Sequence, residues 1–170
     1  MQLIKDPDPI LKQVAEPWDF ATDQNLDQIE QEMIQIMKTF HGRGLAANQV
    51  GLLKRVLVIQ LDNYPELLEP FIMVNPSIAL VNDESSQIEG EEGCLSFPNL
   101  WIKVKRAKSV TVEYFDKSGK SCIIELSGID ARCFLHELDH LNGIVFTDHV
   151  SQMKLMLARK KQRKNNGRTK

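Results

Sequence analysis

Residues 134 to 143 read FLHELDHLNG, which sets His136 and His140 four positions apart with Glu137 between them. On an α-helix, positions i and i+4 lie one above the other on one face, so both imidazoles can meet one cation. Glu137 is offset by one position and stands near enough to take a proton from a water held there and return it. The residue types divide the work: neutral imidazoles ligate, while a free carboxylate does the acid–base chemistry. Taken alone, the block is also compatible with a helix that simply carries polar residues.

A catalytic cation needs a third protein ligand and one open position. Asp148 and His149 follow the helix end too closely to reach back with ease. Upstream, EGEEGCLSFP holds Cys94 in an extended stretch bounded by glycine and proline, where a thiolate could complete a Cys-His-His set. A further block, HGRGLAANQVG over 41 to 51, has small residues that let backbone come close to a neighbour, and Gln49 can donate hydrogen bonds there. Without a ligand the same block reads as a tight helix-to-strand connection.

These residues need elements to position them. The Pro-rich DPDPILKQVAEPW predicts an extended, docked arm. Leu26, Ile29, Met33, Met37 and Phe40 recur at helical spacing, with Thr22 or Asp23 to cap the start and Gly42 to end the helix after about five turns. RVLVIQL (55–61) and FIMVNPSIALV (71–81) read as strands, the second interrupted at Pro76. KVKRAKSVTVEYFD and KSCIIELSG alternate around DKSG as a hairpin. DARCFLHELDHLNG then returns to helix, capped by Asp130 and closed near Gly143. A last amphipathic stretch from Ser151 carries Met153, Leu155, Met156 and Leu157. The order predicts an α+β fold with antiparallel sheets packed around a central helix.

At 170 residues with 42% apolar and 26% charged residues, one globular domain is expected, over 1–158, followed by a basic tail over 159–170. No run of 18 apolar residues and no signal-type N-terminus occurs, so the reading is a cytoplasmic protein with no membrane partner. Cys94, Cys122 and Cys133 form no CxxC pair, and each alone reads as a small buried hydrophobe. The net charge of -2 conceals an asymmetry. Seven of the 21 Lys and Arg lie from Arg159 onward with no acid among them, leaving 14 basic against 23 acidic residues before it. Such a tail suits a polyanionic partner, or is a solvated terminus.

The three blocks together resemble the peptide deformylase family, whose pattern runs G-Φ-G-Φ-A-A-x-Q (Φ apolar), E-G-C-L-S and Q-H-E-x-D-H. They stand here in that order as Gly42 to Gln49, Glu92 to Ser96, and Leu135 to His140, and the likeness spans nearly the whole chain. The resemblance implies removal of the formyl group from the N-terminal formyl-methionine of nascent bacterial-type polypeptides. It implies one divalent metal on Cys94, His136 and His140, Fe(II) by preference, with Zn(II), Ni(II) or Co(II) as substitutes. Glu137 is then the general base, and the Gln49 side chain and Leu95 backbone N–H are the oxyanion donors. The nascent peptide is expected to lie extended near Arg43, Gly44, Glu92 and Gly93, with the methionine side chain near Ile129, Cys133 and His136. A monomer is expected, with ribosome contact through the basic tail.

Three positions depart from the family pattern: Arg43 for an apolar residue, His41 for an acid, and Leu135 for glutamine. They predict altered substrate preference or metal retention. Arg43 either meets substrate carbonyls or a downstream acid, or points to solvent beside Glu91 and Glu92. Two competing readings remain: an HExxH metallopeptidase in which Cys94 is dispensable, and a weakened deformylase-like protein kept as a ribosome-binding module.

Overall fold

The computed structural model describes residues 1–67, 69–82 and 86–166. In chain order its elements are α1 (Leu26–Thr39), β1 (Gly44–Ala46), β2 (Val56–Ile59), β3 (Phe71–Val81), β4 (Gln87–Cys94), β5 (Phe97–Ala107), β6 (Ser109–Phe115), β7 (Ser121–Ser127), α2 (Gly128–Leu141) and α3 (Gln152–Asn166). Every strand pair is antiparallel, in a five-stranded sheet ordered β1-β2-β3-β6-β7 and a two-stranded sheet β4-β5. This is the α+β arrangement expected from the sequence.

Strand β2 explains the layering. Its four residues are all apolar and all buried, because both faces of the larger sheet are covered. Val56 and Val58, with Ile72 and Val74 of β3, meet Ile29, Met33 and Met37 of α1. The alternate residues Leu57, Ile59 and Met73 meet Ala131, Phe134, Leu138 and Leu141 of α2. The sheet thus separates two helices, and α2 is pinned along one side. Truncating the fully buried Phe134 to alanine should cost about 3–5 kcal/mol. On the other side of α2, the smaller sheet turns Leu100, Ile102 and Val104 into a third cluster with Leu11, Phe146 and part of α3.

Several local expectations are corrected. The N-terminal arm contains a 3-10 turn, Pro9–Lys12, capped by Asp8, before it docks by bridges at Val14 and Glu16. Helix α1 is 14 residues long and starts after Asn25. Asp23 and Thr22 spend their polar atoms on the preceding turn at Asp19 instead. At its end the left-handed residue is His41 (φ 57), while Gly42 N–H reaches Met37 O at 2.8 Å. Strand β3 runs through Pro76 by shifting register, and Asn75 (φ 49) uses both side-chain atoms to clamp Trp18. The hairpin around DKSG is β6-β7, whereas KVKRA belongs to β5 and the smaller sheet. Ser127, not Asp130, precedes α2.

Candidate active site

With Phe134, Leu138 and Leu141 committed to the sheet, the opposite side of α2 is left to line a cleft of about 550 Å³. Ile129, Arg132, Cys133, His136 and Glu137 come from α2, Gly44 starts β1 with Arg43 just before it, and Glu91 to Cys94 come from β4. Cys94 ends β4, and Leu95 and Ser96 turn the chain into β5.

Cys94, His136 and His140 come together with one ligand atom each, all within 4.8 Å of one another. Cys94 Sγ lies 3.2 Å from His140 Nε2. His140 is fully buried, and burial first, then the His136 and Arg106 charges, hold its pKa well below the ordinary value. A neutral imidazole is the form a metal ligand requires. For His136 burial also opposes the charge, but hydrogen bonds with Cys94 and Glu92 outweigh it and raise the pKa. This donor set of one sulfur and two nitrogens suits Fe(II), Zn(II), Ni(II) or Co(II) and does not suit Mg²⁺ or Ca²⁺.

The Glu92 side chain turns inward and organises the centre. Oε2 sits 3.1 Å from His136 Nδ1, which leaves Nε2 of that ring for the cation. Arg106 meets both oxygens at 3.0 Å, and Arg132 Nη1 meets Oε1 at 2.8 Å. Arg106 also binds Asp139, which in turn meets His149 at 2.6 Å. His149 is thereby engaged away from the ligand set, and Asp148 pairs with Lys12.

Glu137 is 5% exposed, and its buried Oε2 has no hydrogen-bond partner among the described residues. Burial dominates the His136 charge and an Ala46 backbone hydrogen bond, and pushes its pKa up to about 7. A carboxyl poised there both accepts and returns a proton near neutral pH. Gly44 makes the approach possible: a Cβ at this position would lie 2.6 Å from Glu137 Cγ and Oε1. Gln49 is aimed by its own oxygen, which accepts from Ala46 N at 2.8 Å. Its Nε2 then points to Cys94 Sγ at 3.4 Å and Ser96 Oγ at 3.1 Å.

The remaining positions divide. Ile129, Cys133 and Gly93 line the cleft, and Gly93 lies under the Trp101 ring. Arg43 does not stand alone in solvent: it pairs with Asp62 at 2.5 Å and Asp130 at 3.2 Å while still lining the cleft. Leu135 packs toward the sheet cluster, and His41 is exposed at the end of α1. Sequence reasoning missed Arg106 and Arg132. The signal was available: Arg106 continues the inward alternation Leu100, Ile102, Val104, and Arg132 stands one helical turn before His136.

The family model described as polypeptide deformylase matches residues 1–156. A peptide deformylase of Brucella suis is 44% identical over 162 residues, covering 95% of this chain and 91% of that one. A Synechococcus elongatus peptide deformylase solved with actinonin superposes with a TM-score of 0.84 at 36% identity, over 95% of this chain and 85% of that one. The Met-Ala-Ser bound class I type b peptide deformylase of Acinetobacter baumannii gives 0.80 at 34%, over 88% and 98%.

Proposed function

The chain belongs to the polypeptide deformylase family, and on that premise we propose how its cleft removes the formyl group from the N-terminal formyl-methionine of nascent polypeptides. The observation that carries the reading is the meeting of Cys94, His136 and His140 beside the Gln49 amide, with the buried Glu137 in the same cleft. Cys94, His136 and His140 hold one divalent cation, Fe(II) by preference. When bound, it supplies Lewis acidity, polarising the formyl carbonyl and making water easier to deprotonate.

The chain's own groups do the rest. Glu137 takes a proton from the attacking water as its oxygen bonds to the formyl carbon. The Gln49 Nε2–H and the Leu95 backbone N–H donate to the oxygen that gains negative charge. Collapse breaks the C–N bond, Glu137 gives its proton to the departing amine, and formate leaves. Arg43, Gly44, Glu92 and Gly93 flank the peptide, and Ile129 and Cys133 border its first side chain. The catalytic unit is 1–158 and acts as a cytoplasmic monomer. The basic extension over 159–170 contacts the ribosome; residues 167–170 of it lie outside the described residues.

The test is formate release from a formyl-Met peptide by Fe(II)-loaded protein, set against Glu137→Ala with its metal content measured on the same sample. Metal retained with formate release lost is the expected result. Equal release by both proteins would sink the reading. Cys94→Ala separates it from an HExxH peptidase, because here that variant loses its metal.

A further inference from the structure

Beside the catalytic cleft lies a second cavity of about 360 Å³. Glu91, Asn99 and Trp101 line both, so the two adjoin at the mouth of the cleft. Ala158, Lys161 and Gln162 of α3 form the far wall of the second.

The register of the smaller sheet decides what reaches this space. Among the described residues β4 pairs only with β5, and its last four residues, Glu91 to Cys94, line the cleft. Cys94 ends the strand. On the deformylase reading the formyl group sits at Cys94, so a peptide lying along β4 runs antiparallel to it, back past Gly93 and Glu92 toward Glu91. At about 3.3 Å per residue, Glu91 is about 10 Å from Cys94, the span of three extended residues. The fourth residue of the substrate therefore arrives where the cleft meets the second cavity.

The floor and wall met there are already built. Side chains alternate across β4, so Glu92 faces inward while Glu91 and Gly93 face out. Trp101 is the register partner of Gly93, and a Cβ on Gly93 would lie 3.0 Å from its ring. Trp101 is 63% exposed, which leaves its ring as an open apolar surface between the two cavities. The α3 wall is fastened, since Gln162 donates to Pro98 O at 2.6 Å and Arg159 pairs with Asp6 at 2.8 Å. Its charge is one-sided. Lys161 is exposed and has no hydrogen bond or ion pair among the described residues. Glu91 stands opposite Lys103 in the strand register, which offsets its charge on the sheet itself.

We propose that the second cavity is a subsite for the fourth and fifth residues of the formyl peptide, that it favours carboxylate side chains there, and that Lys161 sets the preference. The proposal rests on the deformylase reading and extends its substrate contacts onto the C-terminal helix. The sign is a demanding one. Before Arg159 the chain carries 23 acidic against 14 basic residues, so unspecific attraction by the body would favour a basic peptide instead.

The experiment compares kcat/KM for the C-terminal amides of formyl-Met-Ala-Ser-Glu-Glu and formyl-Met-Ala-Ser-Lys-Lys on one preparation of Fe(II)-loaded, full-length protein. The amide of formyl-Met-Ala-Ser, which ends before the second cavity, serves as the reference. At low ionic strength the Glu-Glu peptide is expected to exceed the Lys-Lys peptide by about three- to tenfold. The ratio should fall toward one in about 1 M salt, where the Debye length is about 3 Å. Lys161→Gln is expected to abolish the preference and Lys161→Glu to reverse it, which a merely structural role for this exposed residue would not do. A ratio taken within one preparation is independent of how much of the protein is active. Equal values for the two pentapeptides, a preference for Lys-Lys, or a Glu-Glu preference that Lys161→Glu leaves unchanged overturns the proposal. Formate from none of the three peptides overturns the deformylase reading itself, whereas formate from all three at equal kcat/KM overturns only this inference.

Discussion

Oε2 of Glu92 lies 3.1 Å from Nδ1 of His136, and the same buried carboxylate takes Arg106 on both oxygens and Arg132 on one. One side chain of β4 thus orients a ring of α2 and neutralises guanidinium groups from β5 and α2. Glu92→Gln keeps the shape and removes the charge. It is expected to speed metal loss to a chelator, with affinity falling about 10- to 100-fold. Stability should fall by about 3–5 kcal/mol, because Arg106 and Arg132 stay buried without their anion. Unchanged metal retention in Glu92→Gln would argue against a role in holding His136.

The same carboxylate predicts an acid limb of stability in the metal-free protein. Burial raises its pKa, but the hydrogen bonds from His136 and Arg106 and the Arg106 charge prevail and lower it to about 2, from an ordinary 4.5. A group with a depressed folded pKa stabilises above its unfolded pKa and loses that contribution as pH falls through the folded one. Glu92 should therefore contribute on the order of 3 kcal/mol above about pH 5, lost progressively toward pH 2. The Tm of the metal-free wild type should drop across that window, and Glu92→Gln should show a shallower drop. Parallel profiles for the two proteins would refute it.

Gly44→Ala tests the positioning of the base without touching its chemistry. The new methyl meets Glu137 Cγ and Oε1 at 2.6 Å, so the carboxylate must shift. A displacement of about an ångström costs on the order of 100-fold in rate. The expected signature is a fall in kcat with metal content unchanged, since the ligands sit elsewhere. Activity within a few-fold of wild type would mean the close approach has no catalytic consequence.

Gln49→Ala removes a donor aimed by the Ala46 N–H and steadied by Ser96. A transition-state donor should show as a loss in kcat of about 100- to 1,000-fold with little change in KM. Ser96→Ala leaves the donor but loosens it, and should cost less. A Gln49→Ala effect confined to KM would mean that the amide binds substrate and does not stabilise the transition state.

The ligands and the base were legible because helical spacing carries the information: His136, Glu137 and His140 are on one face wherever the helix goes. Cys94 and Gln49 were legible as residue types, but their meeting with α2 needed the packing of the smaller sheet. The inward role of Glu92 was not legible, because in EGEEG any of the three glutamates could face the core until the register with β5 is known. Asp130 misled for a related reason. A carboxylate at a helix start reads as a cap, yet this one accepts from Asp62 and Asn63 backbone N–H groups and from Arg43. Those partners are more than 60 positions away in the chain, beyond any local pattern.

The proposed ribosome contact can be separated from catalysis because α3 is fastened by residues other than its outward cations. Arg159 pairs with Asp6 at 2.8 Å and Gln162 donates to Pro98 O at 2.6 Å, while Lys160, Lys161, Arg163 and Lys164 are exposed. Replacing these four with glutamine should leave formate release from short peptides at the wild-type rate. Co-sedimentation with ribosomes should weaken, and the slope of log affinity against log salt should flatten by about 0.7–0.9 for each phosphate contact removed. Binding that is insensitive to salt in the wild type, or unaffected by the four substitutions, would remove the tail from the interface.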